Sequence, residues 1–284
     1  MRIRATVAVA TGALALSALA VPATQAAPAG DRPGVPAFGS ATHQDSAAAP
    51  KSNARAAVEA PVIIKTVVNA NKPIVVGTTV PKKVAVSVTA SHPSGIADAD
   101  MIIWIGSSVD DPNGWGFVSM GDFTCTPVNA TTSTCKQSIE VDPLWLINSD
   151  TTKWNVGAWV ESQDGSSAEN VKFGKTSLQR LSRLDVNAAP EPVKKGGTIT
   201  VTGKLSRANW ETGTYKGYAT QSVQLQFRKK TSSTYSTIKT VKTSTTGTLK
   251  TTTKATVDGY WRWNFAGTST TPAIIPAGDF VDVK

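Results

Sequence analysis

From about residue 59 onward, the chain repeats one pattern. Short runs alternate apolar and polar side chains, and turn clusters cut them off. Val84, Val86 and Val88 alternate with Ala85, Ser87 and Thr89, and Trp154, Val156, Ala158 and Val160 alternate with Asn155, Gly157, Trp159 and Glu161. Further on, Ile199, Val201 and Leu205 alternate with Thr198, Thr200, Thr202 and Lys204. Val223, Leu225 and Phe227 alternate with Gln224, Gln226 and Arg228, and Trp261, Trp263 and Phe265 with Tyr260, Arg262 and Asn264. A period of two places each set on its own face of a strand, so these runs predict half-buried strands. Met101 to Ile105 is a continuous apolar run of strand length and predicts a buried strand. The clusters His92-Pro93-Ser94-Gly95, Asp110-Asp111-Pro112-Asn113-Gly114 and Gln163-Asp164-Gly165-Ser166 predict turns. The one helix-like spacing, Leu178, Leu181 and Leu184, is short and equally fits the end of a strand.

Composition points the same way. Charged residues are 17% of the chain, below the roughly 25% usual in soluble domains. Thr supplies the missing polar surface, with 37 residues, and its branched side chain favours strands. A chain of 284 residues has room for more than one ordinary domain.

The chain divides into four stretches. Arg2 and Arg4 precede the uncharged run Ala5–Val21, and Thr24-Gln25-Ala26 places small residues where a signal peptide is cut. Residues 1–26 are therefore expected to direct export, with cleavage after Ala26. No second apolar run of spanning length follows, so no membrane span is expected after cleavage. Residues 27–58 are rich in Ala, Pro, Gly and Ser without periodicity, and are expected to be a disordered linker or pro-segment; His43 lies there. Residues 59–184 form a first folded block and residues 185–284 a second, entered through Asn187-Ala188-Ala189-Pro190-Glu191-Pro192. Six or seven turn-bounded strands in a block of this size fit an immunoglobulin-like sandwich.

Cys125 and Cys135 are the two cysteines, with a turn-rich stretch between them. After export an even count predicts a disulfide, here stapling two hairpin arms and worth about 2–3 kcal/mol in the chain-entropy model. Two Cys without nearby His do not fill a zinc site, and the spacing is not that of a redox C-x-x-C. Asn129-Ala130-Thr131 is a lone glycosylation sequon.

Three stretches of the second block carry a resemblance. Pro192-Val193-Lys194-Lys195-Gly196-Gly197-Thr198-Ile199-Thr200-Val201-Thr202-Gly203, Gln221–Arg228, and Asp258-Gly259-Tyr260-Trp261 with Phe265-Ala266-Gly267 look like strands of bacterial Ig-like repeats. Residues 180 to 284 thus resemble the C-terminal Ig-like domain of actinobacterial secreted proteins of unknown function, some of which carry a loose calcium-binding label. The resemblance implies fold and export. It implies no reaction and supplies no catalytic motif.

The residues offer few reactive constellations. His92 is the one His in a folded block and sits in a turn, a poor place for a Ser-His-Asp arrangement. No G-x-S-x-G, H-E-x-x-H or phosphate-cradling glycine loop occurs. A glycosidase-type pair could come from Asp98, Asp100, Asp110, Asp111, Glu140 or Asp142, though acids beside Gly, Pro or Asn more often form turns. No catalytic residue is expected, and no cofactor, with calcium as the open exception. Calcium takes about six to eight oxygen ligands. Asp110, Asp111 and Asn113 could supply some, joined by Asp98 and Asp100 if these face the same end of the sandwich; the alternative is an Asx-type turn. Trp115, Trp159, Trp210, Tyr215 and Tyr218 are candidates for exposed aromatic faces, which stack on sugars or cap a sandwich end; Trp261 and Trp263 are core by phase.

Charge is polarised along the chain. Residues 59–184 carry a net of −2 and residues 185–284 a net of +8. Arg228, Lys229, Lys230, Lys239, Lys242, Lys250 and Lys254 fall on consecutive predicted strands, so one basic, Thr-studded sheet face is expected. Such a field attracts polyanions or simply aids solubility. No nucleic-acid recognition motif accompanies it. The sequence therefore predicts an extracellular, non-enzymatic protein of two tandem sandwiches that associates with an anionic cell-wall polymer or polysaccharide. The alternatives are a calcium-binding protein and a carbohydrate-active enzyme with an Ig-like accessory domain.

Overall fold

A computed structural model describes residues 32–42 and 59–284. The expected signal peptide, His43 and most of residues 27–58 lie outside the described residues.

The first sandwich is built from two sheets. One has the order β1 (Val62–Val68), β3 (Lys82–Ser91), β7 (Thr132–Val141), β6 (Thr124–Pro127). The other has the order β2 (Ile74–Val76), β9 (Ser167–Arg180), β8 (Lys153–Ser162), β4 (Ile96–Ile105), β5 (Trp115–Val118). All pairings are antiparallel except that of β2 with β9. The predicted alternation holds: Val84, Val86 and Val88 are buried while Lys83 and Ala85 are exposed. Val88 lies opposite Cys135, and Cys135 opposite Cys125, in one ladder. The Cys125–Cys135 disulfide therefore staples the β6–β7 hairpin rather than tying one sheet to the other. Trp115, Phe117 and Trp154 pack together inside, Trp115 edge-on to both partners.

The run Met101–Ile105 is apolar throughout because β4 is covered on both faces. Met101 and Ile103 face the main core, whereas Ile102 and Trp104 face a second cluster with Trp159 and Phe38. That second cover is the segment 32–42, which corrects the expectation of a disordered linker across 27–58. Arg32 forms two hydrogen bonds to the Asp150 carboxylate, at 2.8 and 3.3 Å, with both side chains buried. Its guanidinium lies 4.3 Å from the Trp115 ring centroid. Phe38 is buried, and Gly39 N donates to Asp100. A segment lying on a sheet as coil with one 3-10 turn at Gly39–Ala41 needs a few anchors and no periodicity, so its composition is that of a linker. Burying Phe38 alone contributes about 1.5–3 kcal/mol.

The second sandwich repeats the plan. One sheet centres on β12 (Gly197–Asn209), paired with β10 (Ser182–Leu184), β11 (Asn187–Ala189), β13 (Thr214–Gly217) and β16 (Thr248–Ala255). The other has the order β15 (Ser236–Lys242), β14 (Ser222–Lys229), β17 (Gly259–Asn264), β18 (Asp279–Val281). Ile199, Val201, Leu205, Val223, Leu225, Trp261, Trp263 and Phe265 form its core. The gap in the apolar series of β12 is Gly203, where a Cβ would sit 2.7 Å from the Trp263 indole. Trp263 Nε1 donates to Thr202 O at 2.9 Å in that space. Both domains are thus antiparallel two-sheet sandwiches of immunoglobulin-like type.

The domains meet without a linker. Leu178 is in the first core, Leu184 in the second, and Leu181 joins β9 to β10. The helix-like leucine spacing is therefore strand. Leu181 N donates to Val76 O of the first domain, and Leu181 O accepts from Ala208 N of the second. Past that point β12 overshoots its own sandwich, and Ala208 and Trp210 are buried in the first core. The expected division at 184/185 is crossed by this hairpin, whose tip belongs to the first core although it lies in the second block.

Candidate functional site

The acidic candidates do not converge. Asp98 and Asp100 lie near the start of β4, and Asp110, Asp111 and Asn113 lie in the turn beyond its other end. A strand of this length separates them by roughly 20 Å at about 3.3 Å per residue. Asp111 accepts from Ser107 N at 2.8 Å and Asn113 N at 2.9 Å, which hold its carboxyl down at about 2. Asp100 accepts from Ser119 Oγ and Met101 N. These are turn and strand-end contacts, and the two acidic groups do not come together at one end of the sandwich. Among the described residues no group of three or more His, Cys, Asp or Glu is placed to hold a metal.

His92 is a pin for its turn. Its Nε2 lies 2.8 Å from Glu59 O, which can only accept, so Nε2 carries the proton. Its Nδ1 accepts from Ser94 N at 3.1 Å. The nearest carboxylate, Asp164, is 3.8 Å from Nε2 and is held at about 2 by hydrogen bonds from Ser162 and Ser166.

The aromatic candidates are corrected as well. Trp115 is 2% exposed and Trp210 is fully buried, because apolar rings at strand ends close the first core rather than face solvent. Trp159 is buried for a different reason: it lies within β8 on the face that Phe38 covers. Tyr215 and Tyr218 remain half-buried, each with an arginine on its ring: Arg183 at 3.5 Å and Arg207 at 3.8 Å. Burial pushes the Tyr218 hydroxyl up, but the hydrogen bond to Thr268 and the neighbouring Arg207 outweigh it, and the net shift is downward. Arg180, buried beside Arg207, is pulled down to about 10.

The basic residues split between two faces. β14 and β15 lie in one sheet and β16 in the other, since the chain crosses between sheets after β15. The single basic face expected from strand order therefore does not exist. On the first face, β12 and β16 pair Thr198 with Lys254, Thr200 with Thr252, Thr202 with Lys250 and Lys204 with Thr248. This is a largely exposed Thr–Lys lattice, with Lys254 Nζ 2.9 Å from Thr198 Oγ1; Lys239 of the other sheet meets the edge strand β16 on its opposite phase, at Thr251 Oγ1, 3.1 Å away.

The second face carries residues that strand phase alone did not single out. On β14 and β17, Arg228 pairs with Tyr260 and Gln226 with Arg262. Arg228 lies 3.9 Å from the Tyr260 ring and Arg262 lies 3.6 Å from the Tyr235 ring. Phe280 on β18 packs against Tyr260 at 5.1 Å, with Lys230 5.4 Å from its ring. Tyr260 and Arg262 were legible as the outward phase of the Trp261–Trp263–Phe265 strand. Nothing local marked Tyr235 or Phe280, which arrive from a loop and from the last strand.

Four of the six acids in residues 185–284 are spent on structure. Asp185 accepts from Lys204 N, Asp279 from Ala188 N, and Asp258 from Val283 N. Glu211 binds Asn148 of the first domain. Of the lysines and arginines in residues 185–284, only Lys230 and Lys284 have a carboxylate within 4.0 Å among the described residues, at 3.7 and 3.6 Å.

No family model matches the chain, and no curated protein matches it. Among solved structures it is similar to the D00-D0 domain of intimin, at 15% identity over 76% of this chain and 99% of that one, with a TM-score of 0.27. It is similar to domains A168-A170 of titin, at 8% identity over 78% and 66%, with a TM-score of 0.25. It is also similar to three N-terminal domains of the bacteriophage RB49 highly immunogenic outer capsid protein, at 10% identity over 79% and 70%, with a TM-score of 0.30. Likenesses of this size carry no functional argument.

Proposed function

We propose that the protein is an extracellular, non-catalytic binding protein that associates with anionic polymers of the cell envelope through its second sandwich. The observation that carries this is the unneutralised charge of that domain. Four of its six carboxylates hold backbone N–H groups or the first domain, and among the described residues only Lys230 and Lys284 of its fourteen cations have a carboxylate within 4.0 Å. A field of one sign over two exposed faces raises the local concentration of a polyanion and speeds its encounter. The carboxylates considered for catalysis fall in three groups, Asp98 and Asp100 near the start of β4, Asp110 and Asp111 beyond its other end, and Glu140 and Asp142 at the end of β7. What supports binding over glycoside hydrolysis is that Asp100 and Asp111 are taken up by the N–H and hydroxyl groups of their own strand and turn, whereas a hydrolase needs two acids facing a substrate. Among the described residues no helix is long and apolar enough to cross a membrane.

The test is retention of the full chain on an envelope fraction across a salt gradient. Retention is expected at low ionic strength and loss toward 1 M, where screening acts over about 3 Å. Retention that ignores salt, or no retention at low salt, sinks the proposal. Lys204→Gln, Lys250→Gln and Lys254→Gln together should shift elution to lower salt without changing the denaturation midpoint.

A further inference from the structure

Arg228 and Arg262 stand on neighbouring strands, and both reach the same ring. Arg228 Cζ lies 5.3 Å and Arg262 Cζ 3.6 Å from the Tyr235 centroid, so the two guanidiniums are no farther apart than the sum of those distances. Like charges this close repel each other. Neither has a carboxylate within 4.0 Å among the described residues. Tyrosine rings flank them instead, Tyr260 at 3.9 Å from Arg228 and Tyr235 at 3.6 Å from Arg262, within the range of cation–π attraction. Few donors are used: Arg228 Nη1 donates to Ser232 O at 2.8 Å, and Arg262 Nε to Gln226 Oε1 at 2.9 Å. Each guanidinium has about five donors, so most stay available. Gln226 is 9% exposed, which gives Arg262 a fixed support. Beside them lie the half-exposed rings of Tyr260 and Phe280.

We infer that this cluster is a subsite for ring-borne carboxylates, the chemistry of an acidic polysaccharide. It rests on the anionic-polymer reading above and deepens it. Arg228 and Arg262 take the carboxylates, because a planar fork matches a carboxylate with two parallel hydrogen bonds. Tyr260 and Phe280, packed on each other beside the arginines, give apolar area along one edge of the sugar ring. A phosphodiester chain without rings would use the charges and leave the aromatics idle, so the polysaccharide is the better fit.

The experiment measures binding of the full chain to polygalacturonate, to neutral galactan and to poly(glycerol phosphate) at one fixed ionic strength. The double variant Arg228→Lys, Arg262→Lys keeps the charge and removes the planar forks. The variant Lys250→Gln, Lys254→Gln removes two charges from the opposite sheet. Affinity for polygalacturonate should fall by about tenfold or more in the arginine variant, as expected for losing paired charge-assisted bonds. The lysine variant should lose less, and galactan should not bind. Phe280→Ala, which leaves both arginines in place, should also weaken polygalacturonate while leaving poly(glycerol phosphate) unchanged. It serves as the decisive variant if the arginine pair proves unstable by its denaturation midpoint. Polygalacturonate binding untouched by both changes overturns the subsite and leaves the general reading standing. Poly(glycerol phosphate) losing affinity in parallel in both variants overturns the polysaccharide assignment. A wild-type chain that binds no anionic polymer overturns the general reading and this one with it.

Discussion

The indole of Trp210 donates from Nε1 to the carbonyl oxygen of Gly77 at 2.7 Å, across the boundary between the two sandwiches. The ring belongs to the second block of sequence and the core around it to the first. Trp210→Ala should therefore cost about 3–5 kcal/mol, as for other large-to-small core changes. It should do so in the first domain. Trp210→Phe keeps most of the apolar area but leaves the Gly77 carbonyl without its donor, at about 1–3 kcal/mol. Urea denaturation followed by the tryptophans checks both. Costs below about 0.5 kcal/mol would show that the hairpin is not part of that core.

Arg32 and Asp150 form a buried pair, so removing one partner strands the other. Arg32→Gln should destabilise by about 3–5 kcal/mol at neutral pH. Burial already raises the Asp150 carboxyl above its ordinary value, with the Ile147 N–H and Arg32 opposing. A raised folded-state acid adds stability below its unfolded pKa, and that addition is lost as pH rises through the folded one. The effect of Arg32→Gln should accordingly shrink near pH 4, where the orphaned carboxyl takes a proton. Denaturation midpoints at pH 4 and pH 7 measure this, and an equal loss at both contradicts it.

Asp111 should titrate near 2 by carboxyl NMR shift, because the Ser107 and Asn113 amides bind its charged form. A depressed acid contributes above its unfolded pKa and loses that contribution as pH falls through the folded one. The turn should therefore loosen only in strong acid. Millimolar calcium against chelator should leave the melting temperature unchanged; a rise with calcium would restore the metal reading of Asp110 and Asp111.

Cys125→Ser with Cys135→Ser should cost about 2–3 kcal/mol, the closure entropy of a short loop. The two residues oppose each other within the β6–β7 hairpin, so the loss should be local. Hydrogen exchange should quicken in β6 and β7 and stay constant in β8 and β9. Exchange that quickens throughout the first domain would contradict it.

The strands were legible because their signal is local. Alternation in Val84–Val88, Val223–Phe227 and Trp261–Phe265 reports the very faces that pack. Partner choice between sheets is not local, and there the expectations failed. Lys250 follows Lys239 closely in sequence, yet β15 and β16 lie in opposite sheets. The place of Trp210 is illegible in sequence for a related reason. Its neighbours in sequence are polar turn formers, and the core it fills is built from residues far earlier in the chain. The segment 32–42 is anchored by Arg32 and Phe38, two contacts with no periodicity to announce them. Tyr235 and Phe280 meet Arg228 and Tyr260 only after the sheet has assembled.

Leu181 joins the last strand of one sandwich to the first strand of the next, with its N–H bonded backward and its C=O bonded forward. Tension pulled along the chain cannot be relieved there by swinging a hinge. It has to shear backbone hydrogen bonds on both sides and drag Trp210 from the first core. Separating the two sandwiches would therefore cost core burial as well as hydrogen bonds, unlike separating domains joined by a flexible tether.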